Sequence, residues 1–157
     1  MAGEPMDLSL IKQAAIFSDL SDDEIGAIAE ICKEQQVPRN QYVFKEGEPG
    51  NRLYIVAEGE VRISRDVPGS GEEALAVLKK GACFGEMSVF DRSERSTDAI
   101  ANTTCTLLTI SRSEFEILLD FNRDLAYKVL WAVVRLLSGR LRVTNDNLRS
   151  FLAMSMF

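Results

Sequence analysis

The sequence predicts an α+β fold: an antiparallel β-roll, of the double-stranded β-helix or jelly-roll kind, flanked by N-terminal helices and a long C-terminal helix. Three observations carry this. Residues 35 to 111 break into short candidate strands separated by turn residues. The stretch before them has helical apolar spacing. From about Arg123 an apolar seam recurs at alternating intervals of four and three residues. With 157 residues and 46% apolar content, the chain has enough for one packed body and one appended element. The expected boundaries are 7–120 for the roll with its N-terminal helices and 121–157 for the terminal helix with an apolar tail.

Residues 1 to 6 read as a loose end. Leu8, Ile11, Ala15 and Ile16 suit a short helix. Ser21 followed by Glu24 has the spacing of a capping box, and Ile25, Ile28, Ala29 and Cys32 supply the buried face of the helix it starts. Pro38 ends this region. The candidate strands are Gln41–Lys45, Leu53–Ala57, Glu60–Arg65, Ala74–Leu78, Ser96–Ala101 and Cys105–Ile110. Turn signals stand between them, and Pro68 through Gly71 reads as a hairpin tip. Ser111 or Ser113 can cap a helix through Phe115, Leu118 and Leu119.

In the long helix, Leu130, Val134, Leu137, Leu141, Thr144, Leu148 and Phe151 form the seam, roughly 30 Å long at about 1.5 Å per residue. Val129, Ala132, Val133 and Leu136 form a second apolar face suited to packing on the roll. A helix apolar on two faces needs two partners: its own body and a second copy, in a homodimer through Leu130, Val134, Leu137, Leu141 and Leu148. Gly139 either weakens this helix, by about 1 kcal/mol against alanine, or permits close approach of the partner helix.

The net charge of −6 disfavours a polyanion bound by the whole surface. Arg123, Lys128, Arg135, Arg140, Arg142 and Arg149 nevertheless cluster on the terminal helix, which reads either as a basic helix lying on an acidic body or as a nucleic-acid helix. Direct DNA binding is not expected, since no second helix completes a helix-turn-helix. Cys32, Cys83 and Cys105 lack disulfide or zinc spacing. The absence of histidine removes the usual general base and most transition-metal sites, so no catalytic or metal-ligating residues are assigned and no enzyme is expected. With no signal peptide and no bilayer-length apolar run, a cytoplasmic protein is expected.

Residues 84–97 (FGEMSVFDRSERST) concentrate the chemistry. Gly85 stands at a helix start, where backbone amides and the helix dipole favour an anion. Glu86 can accept a hydrogen bond from a sugar hydroxyl. Arg95 can pair with a phosphate through a fork that lysine lacks, and Ser96 can donate a further bond. The alternative is a mutual Glu86–Arg95 salt bridge closing a hairpin.

The run, in its order of helices, strands and terminal seam helix, resembles the phosphate-binding cassette of the cyclic nucleotide-binding domain family. The sensor half of the bacterial catabolite activator protein family is the nearest resemblance, over roughly residues 10 to 150. Ile16–Ser21, Phe44–Gly50 and Leu53–Val61 carry it together with the cassette. The resemblance implies a ligand-binding regulatory domain. Its ligand-contacting set would be Gly85, Glu86, Met87, Arg95, Ser96 and Thr97, with Glu86 on the ribose 2′-hydroxyl and Arg95 on the phosphate. Arg140-Leu141-Arg142-Val143-Thr144-Asn145 looks like the segment that meets adenine, with Arg140 and Thr144 on one subunit and Asn145 reaching from the other. Thr144 can instead merely set helix register. The implied ligand is cAMP, and less favoured cGMP, with no cofactor.

Two departures from the family stand out. Asp98 occupies a position where the family usually has a neutral residue. Alternation from Arg95 puts Thr97 and Ala99 on its face and Ser96 and Asp98 on the other, so Asp98 is expected to point away from the phosphate. The sequence also reaches Phe157 with no winged helix-turn-helix, so no output domain is expected. The alternative function is therefore a fold with a non-functional pocket, serving as a dimeric interaction module.

Overall fold

Ser21 starts its helix as the spacing predicts: its hydroxyl accepts from the Glu24 N–H at 3.3 Å, and the Glu24 carboxylate accepts from the Ser21 N–H at 2.8 Å. A computed structural model describes residues 5–157, so the expectation of a loose end at residues 1 to 4 lies outside the described residues. Helix α1 spans Leu8–Gln13 and is followed by a 3-10 turn at Ala15–Phe17. Helix α2 spans Asp22–Ile31. The strands are β1 (Cys32–Val37), β2 (Tyr42–Phe44), β3 (Arg52–Glu58), β4 (Val61–Val67), β5 (Gly71–Leu78), β6 (Cys83–Phe84), β7 (Asp98–Ala101) and β8 (Cys105–Ser111). Helix α3 (Glu86–Asp91) lies between β6 and β7, and α4 (Arg112–Phe121) and α5 (Arg123–Ser155) close the order. This is the α+β roll with a long C-terminal helix.

Two four-stranded antiparallel sheets, ordered β1-β8-β3-β6 and β2-β7-β4-β5, form the roll. Strand β3 shows how one sequence serves two cores. Leu53 and Ile55 pack among the helices, while Tyr54 and Val56 face the interior of the roll. Both faces are buried, so the strand reads as a continuous apolar run. Phe17 and Phe115 meet edge-on in the helical core, with centroids 6.0 Å apart.

The structure corrects the sequence at α2 and its neighbours. Cys32 does not lie on the buried face of α2; it opens β1 and pairs with Ile110 of β8. Strand β1 was not expected, because Cys-Lys-Glu-Gln-Gln-Val lacks an apolar alternation and owes its extended form to pairing with β8. The two-residue β6 is too short to leave a periodic signal. Of the two candidate caps, Ser111 accepts from the Glu114 N–H at 3.3 Å.

Helix α5 begins at the Asn122 cap and buries Leu125, Val129, Ala132 and Val133 against the body. Each fully buried valine contributes about 1.5–3 kcal/mol. Two of its basic residues pair with acids of the body: Arg135 with Asp19, and Lys128 with Glu24 at 2.6 Å. At these positions the basic helix lies on an acidic body. Beyond Arg140 every residue of α5 is exposed. No helix among the described residues is long and apolar enough to cross a membrane.

The Lys128 hydrogen bond holds the Glu24 carboxyl below its ordinary value of 4.5. A depressed carboxyl stabilises the fold above the unfolded value and loses that contribution as pH falls through the folded one. Lys128→Met is expected to cost less than about 1 kcal/mol at neutral pH, because the lysine is partly exposed. The difference from wild type is expected to shrink below pH 4.5. Thermal melts across that range check it; a pH-independent difference would assign the loss to packing of the lysine stem.

Candidate functional site

Strand β6 runs into α3 through Gly85, whose φ of 77° is left-handed backbone that favours glycine. A Cβ there would also lie 2.7 Å from Arg95 Nη1. The first amides of α3 lack intrahelical acceptors, and the helix starts at the edge of a cleft of about 290 Å³. The cleft brings together Gly85, Glu86, Met87, Arg95, Ser96, Thr97 and Arg140.

Arg95 is almost fully buried, with 4% of its surface exposed. Its Nη1 donates to the Gly85 carbonyl at 2.8 Å and its Nη2 to the Arg52 carbonyl at 2.6 Å. Its Cζ sits 4.2 Å from the centroid of the Phe44 ring. Below lie Tyr54 and Phe84, stacked at 5.2 Å. Nε is buried without a partner. Among the described residues no carboxylate pairs with this guanidinium, and burial lowers its pKa from the usual value. The Glu86–Arg95 salt bridge is therefore not formed.

Glu86, also 4% exposed, faces Arg140 instead: Nη1 lies 2.8 Å from Oε1. The contact is an ion pair without an aligned N–H, so Oε1 is buried against Arg140 and accepts no hydrogen bond. Arg140 thus ties the terminal helix to the cleft mouth. Thr144 and Asn145 do not line the cleft in the single chain. Thr144 sits one helical turn past Arg140, whose carbonyl accepts from its hydroxyl at 2.9 Å. Asn145 lies with Arg142, Asp146 and Arg149 on the exposed helix. The reason is geometric: α5 has left the body by that turn, and a second chain would be needed to close over it.

Asp98 accepts from the Glu46 N–H at 2.8 Å and is absent from the cleft lining, as expected. The companion assignment of Ser96 to that same far face is corrected. Ser96 lines the cleft, because β7 begins only at Asp98 and strand alternation does not extend back to Ser96.

Sequence reasoning did not place the apolar walls Phe44, Ile63, Ala76 and Leu78, nor Cys83, Phe84 and Ser88, in the ligand-contacting set. Ile63, Ala76 and Leu78 were reachable from the alternation of β4 and β5, since residues two apart share a face. Burial pushes the Cys83 thiol well above its ordinary range, which disfavours the reactive thiolate.

Similarity to known proteins follows the same geometry. The model of the cyclic nucleotide-binding domain matches residues 34–122. Over 139 residues the chain is 32% identical to the CRP-like cAMP-activated global transcriptional regulator of Mycobacterium tuberculosis, covering 88% of this chain and 60% of that protein. It superposes on the N-terminal domain of a transcriptional regulator from Streptomyces coelicolor A3(2) with a TM-score of 0.78 at 32% identity, covering 88% of this chain and 94% of that one. The Thermus thermophilus catabolite activator protein gives a TM-score of 0.77 at 32% identity, over 85% of this chain and 61% of that one. The chain therefore spans less than two thirds of the full-length regulators it matches. On the fold, the cassette and these similarities together, the chain belongs to the cyclic nucleotide-binding domain family.

Proposed function

We propose that the chain is a cyclic nucleotide sensor that prefers cAMP and signals through a dimer of its terminal helix, not an enzyme. One observation carries the ligand class: Arg95 is a buried guanidinium with no carboxylate partner among the described residues and an unused Nε, and it lines the same cleft as the start of α3. Burying an uncompensated cation is costly, and an anionic phosphodiester compensates it. Glu86 supplies an acceptor for the ribose 2′-hydroxyl in the same cleft. Binding there puts the sugar in competition with Arg140 for the same carboxylate, so occupancy reaches α5 directly. The Mycobacterium tuberculosis relative is a cAMP-activated regulator, which supports cAMP.

The second reading, an interaction module with a silent pocket, draws on the fact that Arg140 already occupies Glu86 and backbone carbonyls already occupy both Arg95 Nη atoms. Calorimetric titration with cAMP and then cGMP decides between them. The sensor reading expects micromolar or tighter binding, tighter for cAMP. No heat with either ligand, from folded protein free of bound nucleotide, would sink it in favour of the silent module.

A further inference from the structure

Arg112 opens α4, yet its side chain runs back behind the cleft. Its Nη2 donates to the Gly50 carbonyl and, at 2.9 Å, to the Ser88 carbonyl. Its backbone N–H donates to the Asn51 carbonyl at 2.8 Å. Its Nε is buried without a partner.

The two carbonyls it bridges belong to the two segments that wall Arg95. Gly50 ends the loop between β2 and β3, and Ser88 lies in α3. That loop also holds the Arg95 backbone directly: Arg95 N–H donates to the Glu48 carbonyl at 2.8 Å, and Gly47 N–H donates to the Arg95 carbonyl at 2.9 Å. The segments touch closely at this point. A Cβ on Gly50 would lie 2.1 Å from Ser88 Cβ and 3.1 Å from Arg95 Cζ. Any loosening between loop and helix therefore opens directly onto the Arg95 guanidinium. The positive charge of Arg112 also repels that of Arg95 and disfavours its protonated form. A phosphate bound at Arg95 relieves that repulsion.

We infer that Arg112 is a positioning residue of the anion site: it clamps the Gly50 loop to α3 around Arg95 and places a second positive charge behind it. This rests on the cyclic nucleotide reading. The two contributions separate by chemistry. The clamp needs a donor group that reaches two carbonyls, whereas the field needs only a charge.

The test uses wild type, Arg112→Met and Arg112→Lys, each titrated with cAMP and with the two phosphorothioate diastereomers of cAMP at low and high salt. The diastereomers differ in which phosphate oxygen is replaced by sulfur, so the ratio of their affinities reads how accurately Arg95 is placed. Arg112→Met is expected to weaken cAMP about tenfold or more, flatten the salt dependence and shrink the diastereomer ratio. Arg112→Lys is expected to keep the salt dependence and still lose most of the ratio; it also stands in should the methionine variant fail to fold. Neither shift follows from a general loss of stability, which leaves the ratio intact in the folded fraction. Wild type that binds while a folded variant matches its affinity and ratio overturns this inference alone. Wild type that binds no cyclic nucleotide overturns the underlying reading and this inference with it.

Discussion

Arg95→Ala is expected to abolish measurable cyclic nucleotide binding and to leave the domain folded. The expected loss follows from what the guanidinium supplies to a phosphate: charge-assisted bonds worth about 1.5–3 kcal/mol each. Two such bonds correspond to a fall in affinity of more than about 100-fold. The fold survives because two effects oppose each other. The Gly85 and Arg52 carbonyls lose their donors, which costs stability. The buried cation, unpaired by any carboxylate among the described residues, also disappears, which recovers its desolvation cost. A net change of no more than about 1–3 kcal/mol is expected, within the usual range for a single substitution. Calorimetry paired with thermal melting checks both halves. An alanine variant that binds within tenfold of wild type removes Arg95 from the site. One that is unfolded at room temperature makes it a structural residue.

The second large effect concerns α5. Leu141→Glu with Leu148→Glu is expected to convert a dimer to a monomer and to melt the end of the helix. Leu137, Leu141, Leu148 and Phe151 are 41%, 61%, 55% and 64% exposed, so this side of the helix is largely open to solvent. Residues 141–155 form about fifteen residues of unsupported helix, a length that is marginal in water by itself. A partner would support their helical state, and on the proposed dimer a second copy of the seam would supply one with matching geometry. Carboxylates at two core positions of such a seam put four buried charges into the dimer, each costing several kcal/mol. Sedimentation of wild type and variant, with far-ultraviolet circular dichroism, measures both consequences. A wild-type chain that sediments as a monomer at hundreds of micromolar, with its helix intact, would refute the dimer.

Local chemistry was the legible part of this protein. The Ser21–Glu24 capping box, the Ser111 cap, the Pro68–Gly71 tip and the two faces of α5 are each written within a few residues. The cleft assembled most of its expected residues because the cassette is contiguous. What lay hidden depends on distance along the chain. Glu86 and Arg140 are far apart in sequence, and no periodicity links them. The carbonyl of Arg52, which anchors Arg95, belongs to the backbone and leaves no residue signature. Arg112 reads as an ordinary residue at a helix start until the fold carries its side chain to Gly50 and Ser88. Strand β1 exists through its neighbour, so its own composition argues against it.

Gly139 meets no atom within 4 Å where a side chain would stand, and it immediately precedes Arg140. Helix α5 is therefore a rod with its softest joint beside its latch. The body grips the rod up to this joint, and some fifteen residues, about 22 Å, extend beyond it. A tilt of about 10° at the joint moves the far end by roughly 4 Å at that rise per residue. A change of partner at the Glu86 carboxylate that tilted the helix at this joint would become a displacement about the size of a side chain at the tip.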